Sequence, residues 1–176
     1  YVISPWGTLD EGFRPLEYFR FELAPNGSEV LLQTFFEGNS ARISLRNGGE
    51  TSETELTTER EFALFDNQSS IYQALLLVQR LEALGLESME IDAILPTGGI
   101  AIPARFSSLG ETVLVTNQGP VNVDEYLFDD EMGLNILIHT FTQDGRYVAG
   151  YQEPNTGNRL TKYYNPSRLP TGFEIP

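Results

Sequence analysis

Apolar and polar side chains alternate with a period of two along most of this chain, between short runs of Gly, Asn, Asp and Pro. That rhythm puts one set of side chains on each face of an extended strand, and the runs between supply turns. Phe19, Phe21 and Leu23 share one face, with Tyr18, Arg20 and Glu22 opposite. Pro25-Asn26-Gly27 turns the chain into Val30, Leu32, Thr34 and Phe36, because glycine reaches the positive φ of a tight turn without strain. Ala41, Ile43 and Leu45 alternate with Arg42, Ser44 and Arg46 before Asn47-Gly48-Gly49. From Thr51 to Phe65 the glutamates at 53, 55, 59 and 61 fall on one face and Leu56, Phe62 and Leu64 on the other. A solvated outer face accounts for that pattern more simply than a cation site.

One segment breaks the rhythm. Ile71, Leu75, Val78 and Leu81 follow helical spacing, with N-cap candidates from Asp66 to Ser70 and Gly85 as the stop. Ala74, Leu76, Leu77 and Leu84 widen the apolar arc, so the predicted helix, residues 69–84, needs cover on most sides. A curved sheet wrapped around it is the simplest cover. Strands then resume: Met89 to Leu95, Ile100 to Phe106, Thr112 to Thr116, Val121 to Phe128, Leu134 to Thr142, Tyr147 to Tyr151 and Leu160 to Tyr164. Pro103, lacking an N–H, argues for an edge or a bulge in its strand.

The fold expected is mainly β. About ten strands at this spacing make an antiparallel open or closed β-barrel, with one apolar helix packed on its concave side. The 176 residues fit a single domain over 1–165, followed by an extended Pro-rich tail over 166–176.

Composition narrows the function. Twenty-five acids against 11 bases give a net charge of −14, which repels nucleic acid and anionic membrane surfaces. With no cysteine the chain has no disulfide and no thiolate chemistry. The longest apolar run, Ala74 to Val78, is far short of the roughly 18 residues of a transmembrane helix. The chain opens on Tyr1 rather than methionine, which we read as processing or trimming. Together with the acidity and the polar turns, that opening points to an extracellular or periplasmic setting. The sequons at Asn26 and Asn67 add little.

Two stretches carry a resemblance. One runs from Phe65-Asp66-Asn67 through the helix to Ile91 and on to strands ending near Phe128; the other is the hairpin Thr140-Phe141-Thr142-Gln143-Asp144-Gly145-Arg146. Their order resembles that of secreted bacterial envelope domains of unknown function, with the half-barrel outline of lipoprotein carriers. The resemblance implies an envelope or extracellular location and binding of an apolar molecule. It carries over no catalytic residue.

Chemistry is sparse. There is no phosphate loop, no dinucleotide fingerprint and no nucleophile elbow, and nothing calls for a cofactor. Asp129-Asp130-Glu131 with Asn135 offers oxygen ligands, but without the alternating spacing of an EF-hand; a hydrated acidic turn is the plainer reading, and no metal site is expected. His139 is the one histidine, in the apolar run Ile136 to Phe141, on the face of Asn135, Leu137 and Phe141. It is a candidate acid or base, oriented by Asp124 or Glu125 on the neighbouring strand. A histidine satisfied by a carbonyl or water is the rival. Tyr126, Phe128, Phe141, Tyr147 and Tyr151, with Arg146, could line a pocket against the helix or could be cross-strand pairs holding a sheet. Arg105, Arg146 and Arg159 could grip an anion or pair with surface acids.

Three functions follow as expectations. The first is a barrel that binds an apolar or amphipathic small molecule or lipid between helix and sheet. The second is a structural or protein-interaction module with a filled interior, working through a protein partner. The third is an acid/base enzyme using His139 with Asp124 or Glu125.

Overall fold

The computed structural model describes residues 2–65, 70–116, 119–133, 135–143 and 146–152, and the side chains of 7–65, 73–113, 120–133 and 135–140. Eleven strands and one helix lie within these residues. They are β1 (Val2–Leu9), β2 (Pro15–Leu23), β3 (Glu29–Glu37), β4 (Ser40–Asn47), β5 (Glu50–Thr57), β6 (Glu61–Leu64), α1 (Ser70–Leu84), β7 (Ser88–Leu95), β8 (Ile100–Thr116), β9 (Gly119–Asp130), β10 (Asn135–Gln143) and β11 (Arg146–Gln152). The chain is mainly β, as the alternation predicts. It is divided into two sheets: β1 to β5 in sequence order, and β11-β10-β9-β8-β7-β6. Among the described residues no strand pairing joins the two and no closed barrel forms; the two sheets stack.

The turn at Asn26-Gly27 and the helix stop at Gly85 are as read. Gly27 has φ of 81° and its N–H donates to the Ala24 carbonyl at 2.9 Å. Gly85, at φ 64°, ends α1: its N–H donates to Glu82 O, and Leu86 N–H reaches back to Leu81 O, the double closure of a Schellman motif. The helix spans Ser70–Leu84, close to the predicted 69–84; the expected cap residues 66–69 lie outside the described residues, as do the strand at 160–164 and the tail at 166–176.

The chain changes sheet just before the helix. The stretch 51–65, read as one strand with an acidic face, is two strands broken at Thr58–Arg60. Thr58 N–H donates to Asn39 O and its hydroxyl to Arg60 O, which turns the backbone out of the first sheet. β6 then pairs with β7 in parallel, Glu61 to Ile91 through Leu64 to Ile94. This corrects the all-antiparallel expectation. Two parallel strands need a long crossover, and α1 is that crossover.

The result has three layers, and β6 shows why. Ala63 and Phe65 point to the helix, where they join Ala74, Leu77, Val78, Leu81, Ile91, Phe106, Phe128, Ile136 and Ile138 in one core. Phe62 and Leu64 point the other way, against Tyr18, Leu32, Phe36, Ala41 and Ile43 of the first sheet, and Ile94 joins them. Phe36 and Phe62 stack across the sheets with centroids 4.8 Å apart. The helix buries the stripe 74, 77, 78 and 81, and Leu75 is only half-buried.

Several strands depart from expectation: β1 is one the alternation did not mark, and β8 runs unbroken through 107–110, joining the separate strands expected at Ile100 to Phe106 and Thr112 to Thr116, with a bulge at Ser108/Gly110 in place of a turn. β2 buries Tyr18, Arg20 and Glu22 and leaves Phe19, Phe21 and Leu23 half-exposed on the outer side of the sheet. Pro103 lies in β8 between β7 and β9, not at an edge. Its carbonyl accepts from Glu131 N–H at 3.2 Å, and nitrogen and carbonyl of one strand residue point the same way. The missing N–H therefore faces the turn beyond the end of the β8–β9 ladder, which begins at Ala104, and costs no pairing with β7.

Candidate functional site

β9 and β10 pair with Glu125 directly opposite His139. Directly opposed side chains have Cβ atoms about 4.5–5.5 Å apart, close enough for these two to meet. His139 Nε2 lies 2.8 Å from Glu125 Oε2. His139 is 5% exposed. Its register partner on the far side, in β11, is Gly150. Glu125 also faces Gly110 across β8, at the point where that strand bulges. His139 can donate Nε2–H to the carboxylate as neutral imidazole or as imidazolium, which leaves Nδ1 for other work.

Asp124 does not join this pair. It points to the opposite face, exposed, in register with Thr140 of β10 and Glu111 of β8. The dyad occupies the sheet face away from α1, whereas Tyr126 and Phe128 occupy the face against it. Phe128 is 1% exposed and stacks on Phe65 at 4.4 Å. Tyr126 stacks on Phe106 at 5.7 Å and donates its hydroxyl to Glu82 Oε1 at 2.8 Å. Burial pushes the Tyr126 phenol well above its ordinary range, and the bond to Glu82 adds to the shift.

The remaining candidates are placed by backbone alone. Phe141 pairs with Val148, Arg146 with Gln143, Tyr147 with Thr142 and Tyr151 with Ile138; their side chains lie outside the described residues, as does Arg159. Arg105 contacts Glu90 at 3.7 Å and donates to Ser88 Oγ at 3.2 Å, an ordinary surface arrangement. The acidic turn is organised by Asp130, whose carboxylate accepts from Met132 N–H at 2.9 Å. Among the described residues no group of three or more His, Cys, Asp or Glu is set to hold a metal ion.

Sequence reasoning missed one charged cluster. Arg80, the only basic residue of α1, is buried; its guanidinium bonds Glu61 and donates to the Phe62 carbonyl at 3.3 Å. Glu61 also takes Arg14 at 3.1 Å. Arg14 is presented by the β1–β2 turn, where Asp10 Oδ1 accepts from Gly12 and Arg14 N–H and Phe13 adopts φ of 61°. Burial lowers the proton affinity of Arg80, Arg14 lowers it further, and Asp10 opposes both. A lone arginine in an otherwise apolar helix was the available signal, since burying its charge requires a carboxylate partner. The cluster ties the first sheet to the helix.

Among the described residues the site therefore reduces to a buried His139 paired with a half-buried Glu125 on one face of the larger sheet and a packed aromatic core on the other. In comparison with known protein families, curated proteins and solved structures, nothing matches this chain.

Proposed function

We propose that the chain is a protein-interaction module whose helix–sheet interior serves as a core rather than a ligand cavity. The observation that carries this reading is the position of Phe128 and Tyr126. Two residues that would wall a pocket are packed instead against Phe65 and Phe106, among the side chains of α1. On this reading the six-stranded sheet bends about α1 as an open half-barrel, and the module works from its outer surfaces in an extracellular or periplasmic setting.

Native mass spectrometry of the full chain, alone and after incubation with palmitate, tests it. The expected mass is that of the bare chain in both samples. Retention of palmitate or of a co-purified lipid overturns the reading in favour of an apolar-ligand carrier.

A second reading rests on a separate observation, the 2.8 Å His139–Glu125 contact at a buried position. A carboxylate that fixes one imidazole nitrogen leaves the other poised as general base, the arrangement a hydrolase needs. A screen of p-nitrophenyl esters run beside His139→Gln checks it. Turnover that disappears with the imidazole supports an enzyme; a rate that is absent or unchanged removes that reading.

A further inference from the structure

β8 is the longest strand, 17 residues, and it outruns its neighbour. Its pairing with β7 ends at Ser88 and Ser107, with one more bond from Ser108 N–H to Glu87 O. Its pairing with β9 continues to Thr116 and Gly119. Among the described residues, then, β8 from Leu109 onward is bonded on one side only. β9 is likewise bare beyond Asp124, where its ladder with β10 stops. An edge of this kind presents a row of unpaired N–H and C=O groups that an extended backbone can complete.

Three side-chain features define what would complete it. Val113 is 57% exposed and Leu109 is exposed beside it, although both lie in a strand. Glu111 and Asp124 are directly opposite each other across the ladder, both exposed. Like charges at directly paired positions are destabilising, and a cation set across the two relieves that repulsion. Glu82, whose carboxylate holds the Tyr126 hydroxyl, adds an acid on the same face of the sheet. A second copy would bring another −14 of charge and the same acids to the edge.

We infer that the overhanging edge of β8, at Leu109 to Val113, binds an extended basic segment of a partner protein by strand addition. The partner's backbone extends the ladder. Its basic side chain opposite Glu111 neutralises Glu111 and Asp124, and an apolar side chain two positions along on the same face covers Val113. The inference rests on the interaction-module reading and names the partner's chemistry.

The probe is a fluorescein-labelled octapeptide, Thr-Lys-Thr-Val-Thr-Lys-Thr-Val, in which lysine and valine alternate along one face of the strand, titrated into the full chain at low and high salt and read by anisotropy. Its controls are the same peptide with glutamate for lysine and the same peptide with alternate backbone nitrogens methylated. The expected result is saturable binding that weakens with salt, and a loss of about tenfold or more for either control. Glu111→Gln and Asp124→Asn, both exposed, should each weaken binding about tenfold without lowering the melting temperature, because each removes one charge-assisted contact while relieving the repulsion between the two acids. Amide exchange should be fast at 109–113 in the free chain and slow in the complex. The inference is overturned if the lysine peptide fails to bind, if either control binds as tightly, or if those amides are already protected. It is overturned equally if the free chain dimerises through this edge. The two proposals fail separately: a lipid-free chain that ignores the lysine peptide loses the edge assignment alone, whereas a lipid-loaded chain loses the module reading.

Discussion

The two buried layers of this molecule are built differently. Between α1 and the larger sheet the core is mainly aliphatic and aromatic: Phe65 stacks on Phe128, Leu77, Val78 and Leu81 meet Ile136 and Ile138, and the buried charge of Arg80 is held by Glu61 and the Phe62 carbonyl. Between the two sheets the core is smaller and laced with polarity. Arg20, Glu22, Thr34 and Asp92 are buried there beside Leu32, Ile43 and Phe62. Arg20 Nε lies 2.7 Å from Glu22 Oε1, and Arg20 Nη2 donates to Thr97 Oγ1 of the opposite sheet at 3.4 Å. Apolar burial is strong but non-directional, so the first layer stabilises without fixing an angle. Buried charge pairs are weak evidence for stability, yet they have demanding geometry. We read the first layer as the source of stability and the second as what sets one sheet on the other.

The sharpest way to break that contrast is in the first layer. Leu81→Asp should abolish cooperative unfolding, because an unpaired buried charge costs several kcal/mol against a total of roughly 5–15. A sigmoidal urea curve close to the parent's would mean the layer is not the source of stability. In the second layer Arg20→Met should cost about 3–5 kcal/mol, since it strands the Glu22 carboxylate in a buried site. Arg20→Met with Glu22→Leu should recover most of that loss, as measured by a double-mutant cycle; no recovery would mean the pair contributes stability outright.

Alkali probes the first layer more gently. The folded state holds the Tyr126 proton above the phenol's ordinary pKa, so its contribution is complete below about pH 10. Above that, the unfolded chain gives up the proton while the native state keeps it, and stability falls by about 1.4 kcal/mol per pH unit. Urea midpoints of Tyr126→Phe should fall less steeply over this range than those of the parent; parallel lines would end the argument. The smallest effect is a gain. Among the described residues Thr34 Oγ1, buried in the inter-sheet layer, has no hydrogen-bond partner. Thr34→Val removes that unmet hydroxyl at nearly constant shape and should raise stability by about 1 kcal/mol in the same urea assay.

What the sequence made legible was local. The helix and its Gly85 stop, the Asn26-Gly27 turn and the alternation of β3 and β4 all follow from spacing and φ preference, which act over a few residues. The meeting of His139 with a carboxylate of the next strand was legible too, though the choice between Asp124 and Glu125 needed the register. Partner choice was not legible. β6 has four residues and is buried on both faces, so nothing in its alternation separates it from β5 or reveals its parallel pairing with β7. Period two also fails to say which face is inner when both carry bulk, as in β2. Pro103 misled because a strand proline requires only that its own nitrogen lack a ladder partner, a condition met here where the β8–β9 ladder ends, inside a strand that is paired on both sides further along.

The arrangement of β2 has a consequence for its register. Sliding this strand by one residue would turn Phe19, Phe21 and Leu23 inward and return Arg20 and Glu22 to water, an exchange that solvation alone favours. A misregistered hairpin is thus the alternative that the native register must exclude. The tight closure of Asp10 on Gly12 and Arg14 counts out the residues between the first two strands, and the docking of Arg14 on Glu61 accepts only one count. That hairpin behaves as a ratchet against a greasier, wrong solution.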